Sequence, residues 1–472
     1  MKKLFLVSVL GVLCACTESE PTSEQLPPDE QQGDFVEAQG GKADANGVEE
    51  ASYEGICVLN YVNRADESAI LDAVHDWPGE AIIKARRGAD GAFGTADDVT
   101  FETLEQLDDV DWVGRITFGQ LKRSAQESGF CVGIAEEYLI PGEEDAFFTI
   151  ADRAVEEVEK KAAENGIAHR DAHAKAHGCV QASLKVEEGL APEYRVGVFA
   201  QERTYPAWVR LSNGAFAIQS DLVKDVRGFA VKVMDVPGKK VLEHKQDART
   251  QDFLFINSPT MFVRTPEDYI EFASKTFDGN PVSFFLSLDP REWKIRELTN
   301  LLGAVTQEPM NPLRSRYWST TPYAWGEGAA VKYSVIPCDG ETLDGRLGDE
   351  GESYLRDAMQ VHLSQTDACF EFLVQRQVDP EHMPVEDATL EWSEELSPFV
   401  KVATLTVPMQ DFATPEQDAL CENLAFNPWH TLSEHKPLGN INRARRVVYD
   451  MVSTYRRTFN EAKMDEPDGF EL

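Results

Sequence analysis

"HRDAHAKAHGCVQASLKV", residues 169–186, changes character half-way along, and that change sets the fold class. Its second half, 179–186, alternates apolar and polar side chains with the period of a strand. Its first half holds His169, His173 and His177 at four-residue spacing, in a chain with only nine histidines. On a continuous helix these three would share one face and could hold zinc. Gly178 and the alternation behind it argue against a continuous helix, so the histidines are read at a strand entrance, where they need not converge.

The same alternation returns downstream in YRVGVFA (194–200), AWVRLS (207–212), GFAVKVM (228–234), DFLFIN (252–257), AVKYSVI (330–336), FEFLVQR (370–376) and KVATLTV (401–407). Glycines and prolines punctuate the runs, and seven or more such strands predict a closed antiparallel barrel. The spacing then turns helical: Ile441, Ala444, Val448, Val452 and Tyr455 make one stripe in INRARRVVYDMVSTYRRTF (441–459). Residues 134–472 are therefore expected to form one large α+β domain, an antiparallel β-barrel with C-terminal helices.

Upstream, residues 51–132 carry apolar side chains at helical intervals and predict a small all-α module. Residues 100–129 resemble a helix-hairpin-helix unit with its turn near Val113–Gly114. Such hairpins often meet DNA phosphates, but Asp108, Asp109 and Asp111 crowd this turn, so a protein-interaction or spacer role is expected instead. Asp90, Asp97 and Asp98 do not follow the spacing of an EF-hand and are read as a solvated turn. Residues 17–50 are rich in Glu, Asp, Gln, Pro and Gly and poor in large apolar side chains, the composition of a disordered acidic tether. Residues 1–16, MKKLFLVSVLGVLCAC, have the charged start, short apolar run and small residues of a signal peptide. LCAC resembles a lipobox, so export with a lipid anchor at Cys16, in a bacterial cell envelope, is the expectation.

Asp and Glu total 82 against 45 Lys and Arg, a net charge of -37 that works against nucleic-acid binding and against attachment to anionic surfaces other than through the anchor. Six cysteines follow the leader. A Cys57–Cys131 bridge is plausible because the two flank one compact segment, free thiols are as compatible, and the spacings give no further connectivity.

Five ordered segments make the barrel domain specific. RDAHAKAHG (170–178), YPAWVRLSNG (205–214), DVRGFAVKV (225–233), DFLFINSPTMFVRTPEDY (252–269) and FNPWHTLSEHKPLGNINRARRVVY (426–449) resemble, in order, segments of the catalase family. The last of them fits the smaller catalase-like haem proteins better than typical catalases. The resemblance implies a catalase-type barrel with haem b as cofactor. Tyr449 would be the iron ligand through its phenolate, and Arg445, one turn earlier, would supply the adjacent positive charge. Tyr455 is the competing phenol, but it lies on the core stripe. His173 would be the distal acid-base group and Ser212 its orienting partner. Arg170 and Arg210 would pair with the haem propionates. His169 and His177 match no role.

Two departures bear on activity. Where catalases carry an asparagine that orients peroxide, this chain has Ile256; Asn257 is adjacent, but one step along a strand points to the other face. Ala172 replaces a valine and leaves a roomier distal pocket. The resemblance therefore implies weak disproportionation of hydrogen peroxide and better turnover of organic or lipid hydroperoxides, with an electron donor that the sequence does not name. A homo-oligomer is among the assemblies it allows. The competing readings are a haem-binding sensor or store without turnover and a non-haem envelope scaffold.

Overall fold

The computed structural model describes residues 48–74, 76–140, 142–277, 279–290, 293–345 and 350–470. The leader at 1–16 with Cys16, and all but the last residues of the tether at 17–50, lie outside them.

Among the described residues nine strands form: β1 (Ala176–Val186), β2 (Thr204–Asn213), β3 (Arg227–Val233), β4 (Gln251–Ile256), β5 (Tyr317–Trp318), β6 (Tyr323–Ala324), β7 (Ala330–Pro337), β8 (Ala368–Arg376) and β9 (Val400–Val407). β1 pairs with β2 on one side and β9 on the other, and a β5–β7 pairing shuts the ring through eight antiparallel strands, with β6 hanging on β7. Closure removes the exposed edges that an open sheet would present.

The period-two pattern sorts side chains between two environments. Along β2, Tyr205, Ala207, Val209 and Leu211 enter the central core with Phe229, Val231, Phe253, Phe255, Tyr333, Val335, Phe370 and Phe372. Burying each large apolar side chain contributes about 1.5–3 kcal/mol. The alternate residues Trp208, Arg210 and Ser212 face outward yet stay buried. On that outer face register aligns Ser212 with Gly228 and Gly228 with Ile256, and one row along aligns Arg210 with Ala230 and Ala230 with Leu254. Gly228 and Ala230 make β3 low here, leaving a hollow over the sheet.

Helices roof it. Glu143–Asn165 and Asn440–Phe459 pack together through Val158, Ala162, Val448 and Val452, and Pro266–Phe277 adds a further wall. The helix Glu143–Asn165 corrects the expectation of alternation from 134 onward. YRVGVFA is corrected too: it is not a strand but contains a 3-10 turn, Gly197–Phe199. Gly197 has φ +52°, and a Cβ there would run into the His435 imidazole.

Helices Tyr53–Arg64 and Arg115–Glu127 share a separate apolar cluster with Ile70, Leu107, Phe118 and Leu121. Cys57 bridges Cys131, and two further disulfides, Cys179–Cys421 and Cys338–Cys369, were not legible from spacing. Asp97 accepts the Ala89 and Asp90 amides and Asp98 accepts that of Gly94, so these acids are engaged within their own turn.

Candidate active site

A cavity of about 390 Å3 lies between the outer face of β2–β4 and the roofing helices. His173, Ser212, Arg170, Arg210, Arg445 and Tyr449 all line it, although they come from opposite ends of the barrel domain.

His173 sits in the irregular stretch before β1 with φ +56°, the left-handed region that costs an L-residue about 1 kcal/mol. Two backbone contacts hold it there: its amide donates to Gly214 O (3.1 Å), and its carbonyl accepts from Arg210 Nη2 (2.8 Å). Its Nδ1 lies 3.1 Å from Ser212 Oγ. When Nδ1 carries the proton and donates to Ser212, Nε2 is left as a free acceptor. Burial, with Arg210 and Arg445 nearby, pushes the imidazole down to about 4, so it is neutral at ordinary pH.

The other two histidines do not join it. His169 Nδ1 is 3.4 Å from Glu422, and His177 Nδ1 is 3.8 Å from Asp221. Among the described residues no group of three or more His, Cys, Asp or Glu is placed to hold a metal ion, so the three-histidine zinc site is absent there.

Tyr449 lies on the helix Asn440–Phe459, and its hydroxyl accepts from Arg445 Nη2 (3.3 Å). Arg445 is fixed by Asn442 Oδ1 (3.1 Å) and Thr321 Oγ1 (3.3 Å) through its other nitrogen. Despite burial its pKa is raised, through the neighbouring phenols Tyr449 and Tyr323. Tyr455 packs among the apolar residues between this helix and Glu143–Asn165, away from the cavity.

The strongest electrostatic feature is an excess of buried cations. Arg170 and Arg210 meet Arg456, which the sequence reading missed; all three line the cavity. Glu422 pairs with Arg456 (3.1 Å) and stands 3.6 Å from Arg170. Burial alone would raise the Glu422 carboxyl, but His169, Arg170 and Arg456 hold it down at about 2. Arg170 is otherwise held by the carbonyls of Cys421, Glu422 and Leu424. Burial lowers all three guanidinium pKa values, Arg456 to about 9, with Arg170 adding repulsion at Arg210 and Arg456. The Arg210 Nε is buried without a partner. Asp171, half-buried at the cavity wall, has its carboxyl pushed upward by burial. A ligand bearing carboxylates would relieve this arrangement. Arg456 lies seven residues beyond Tyr449, about two turns on, and that spacing was the available signal.

Ile256 lines the cavity. Asn257 turns away: its Oδ1 accepts the Arg227 amide (2.7 Å), and its Nδ2 donates to Ala304 O (3.0 Å). Phe216, Phe262, Met261 and Val305 make the rest of the wall largely apolar, with Tyr269 as a second phenol that the sequence reading did not single out. A tyrosine hydroxyl beside a guanidinium, apolar walls and an arginine group in want of carboxylates fit haem.

No family model and no curated protein matches the chain. Among solved structures it is similar to a fungal catalase (TM-score 0.50, 19% identity, covering 64% of this chain and 63% of that one). It is likewise similar to catalase A from Saccharomyces cerevisiae (TM-score 0.51, 18% identity, 64% and 65%). The chain thus spans less than two thirds of either catalase, and the likeness is one of fold.

Proposed function

We propose that the protein is an exported, haem-dependent enzyme that reduces hydroperoxides, with organic or lipid hydroperoxides favoured over hydrogen peroxide. The observation that carries this reading is the gathering of a neutral His173–Ser212 pair, a Tyr449–Arg445 pair and an anion-seeking arginine group around one apolar cavity. Tyr449 would ligate the iron, and Arg170, Arg210 and Arg456 would hold the propionates. Haem supplies the redox iron at which the O–O bond is cleaved.

The chain's own residues manage the proton. Neutral His173 accepts it from the bound hydroperoxide and returns it to the departing oxygen, so that an alcohol leaves rather than an alkoxide. Ser212 keeps the imidazole aimed. With Ile256 in place of an amide, nothing at that position hydrogen-bonds a second small peroxide, which favours bulkier substrates over rapid disproportionation. Three disulfides support an oxidising compartment. Together with the lipobox-like leader they favour an anchor at Cys16 in a bacterial envelope, with the N-terminal helices as spacer or protein-docking module.

The test is an absorption spectrum of the purified chain beside Tyr449→Phe, followed by cumene hydroperoxide. A high-spin tyrosinate-type Soret band that responds to peroxide and is altered or lost in the variant is expected. A chain that takes up no haem, or a variant spectrum identical to wild type, sinks the assignment.

A further inference from the structure

Beside Arg445, three oxidisable rings run through the barrel. The Tyr323 hydroxyl lies next to Arg445 and Thr321 yet is buried without a hydrogen bond of acceptable geometry. The Tyr323 ring lies 4.9 Å from Tyr333, and Tyr333 lies 6.3 Å from Trp325. Phe199, Phe253 and Phe372, whose rings are far harder to oxidise, pack around the line. At its far end Trp325 is itself buried, but its Nε1 donates to Glu193 O (2.8 Å) in an exposed turn, and the ring adjoins the hairpin tip at Gly326–Gly328.

The rings differ in where a missing electron can rest. An oxidised phenol must shed its proton. The Val198 amide donates to His435 Nε2 (3.2 Å), which leaves the His435 proton on Nδ1, facing the Tyr333 hydroxyl at 3.4 Å. His435 therefore offers Tyr333 no proton acceptor, and Tyr323 has none of acceptable geometry. An indole can hold the hole as a radical cation without losing its N–H. Trp325 is the natural resting place, and the two phenols are the bridge.

We propose that Tyr323, Tyr333 and Trp325 form an electron path from the barrel rim to the Tyr449–Arg445 end of the cavity, and that Trp325, buried beneath the exposed turn at Glu193, is the ring that takes electrons from a phenolic one-electron donor resting on that turn. This rests on the haem-peroxidase reading. Each hydroperoxide takes two electrons and two protons to give alcohol and water, and two phenols each give up one electron and one proton to become phenoxyl radicals. Trp325 is oxidised and refilled once per electron.

The experiment uses the full chain loaded with haem and compares Trp325→Phe with Trp392→Phe, a buried tryptophan off the line. After rapid mixing with cumene hydroperoxide and freezing, electron paramagnetic resonance should show a tryptophanyl radical in wild type and Trp392→Phe that is missing in Trp325→Phe. Guaiacol turnover should fall about tenfold in kcat/KM for Trp325→Phe only. An unchanged radical and unchanged guaiacol turnover in Trp325→Phe overturn the path while leaving the haem reading intact, whereas a chain without a Soret band overturns both. Should Trp325→Phe not fold, peptide mass mapping of wild type treated with peroxide and no donor decides the matter. Oxygen added at Trp325 supports the path, and oxidation confined to the exposed Trp77, Trp112 and Trp293 overturns it.

Discussion

Replacing Gly228 with alanine adds one methyl group to the place where the proposed chemistry has least room. A Cβ on residue 228 would lie 2.5 Å from His173 Nδ1, 2.7 Å from Ser212 Oγ and 2.8 Å from His173 Cε1. The backbone at 228 is ordinary strand and tolerates alanine, so the consequence is steric. Since non-bonded carbons settle about 3.5 Å or more from their neighbours, the imidazole must retreat by about 1 Å. A displacement of that size at a reacting group costs about a hundredfold in rate. Overpacking should cost about 1–3 kcal/mol of stability. The assay is single-turnover cleavage of cumene hydroperoxide by haem-loaded wild type and Gly228→Ala, with the resting Soret band as the check that both carry cofactor. A variant that binds haem and cleaves at the wild-type rate would show that the His173–Ser212 contact does not set the reaction.

Acid should both unfold and silence the protein. Burial holds His173 and His435 at about 4 and His177 and His430 at about 3, against 6.5 for an ordinary histidine. Between those limits the unfolded chain binds protons that the folded chain refuses. The histidine contribution to stability is therefore level above pH 6.5 and declines as pH falls, by about 1.4 kcal/mol per unit for each histidine. Urea titrations from pH 8 to 4 measure this, and a flat profile between pH 6.5 and 5 refutes it. Peroxide cleavage should hold level until pH nears the His173 value of about 4. Arg210→Met removes a buried guanidinium whose Nε has no partner. Haem dissociation from the variant should quicken about tenfold; unchanged haem retention contradicts the cradle.

The barrel was readable because its strands bury one face in the core and alternate accordingly, as β2 does at Tyr205, Ala207, Val209 and Leu211. The same rule misled at 194–200: Val198 and Phe199 do reach the core, but from a tight turn at Gly197. In Glu143–Asn165, Ala146, Phe147, Ile150, Ala151, Val158 and Ala162 repeat at helical intervals, a signal lost when the whole region was taken as sheet. His173 and Tyr449 were recognisable by local motif, whereas Arg456 depends on three-dimensional company, since a guanidinium in sequence does not reveal whether it is short of counter-charge. The Cys179–Cys421 pairing likewise exists only once distant segments meet.

Within the ring the first and last strands, β1 and β9, lie side by side, and the cavity draws on residues that flank both. His173 stands just before the first of them and Tyr449 well past the last. The pocket thus works as a checksum on the chain: cofactor uptake reports that every intervening segment has been placed, since a slip anywhere in the circuit parts the two halves of the site. Haem retention is accordingly a sharper quality measure for variants of this protein than secondary-structure content.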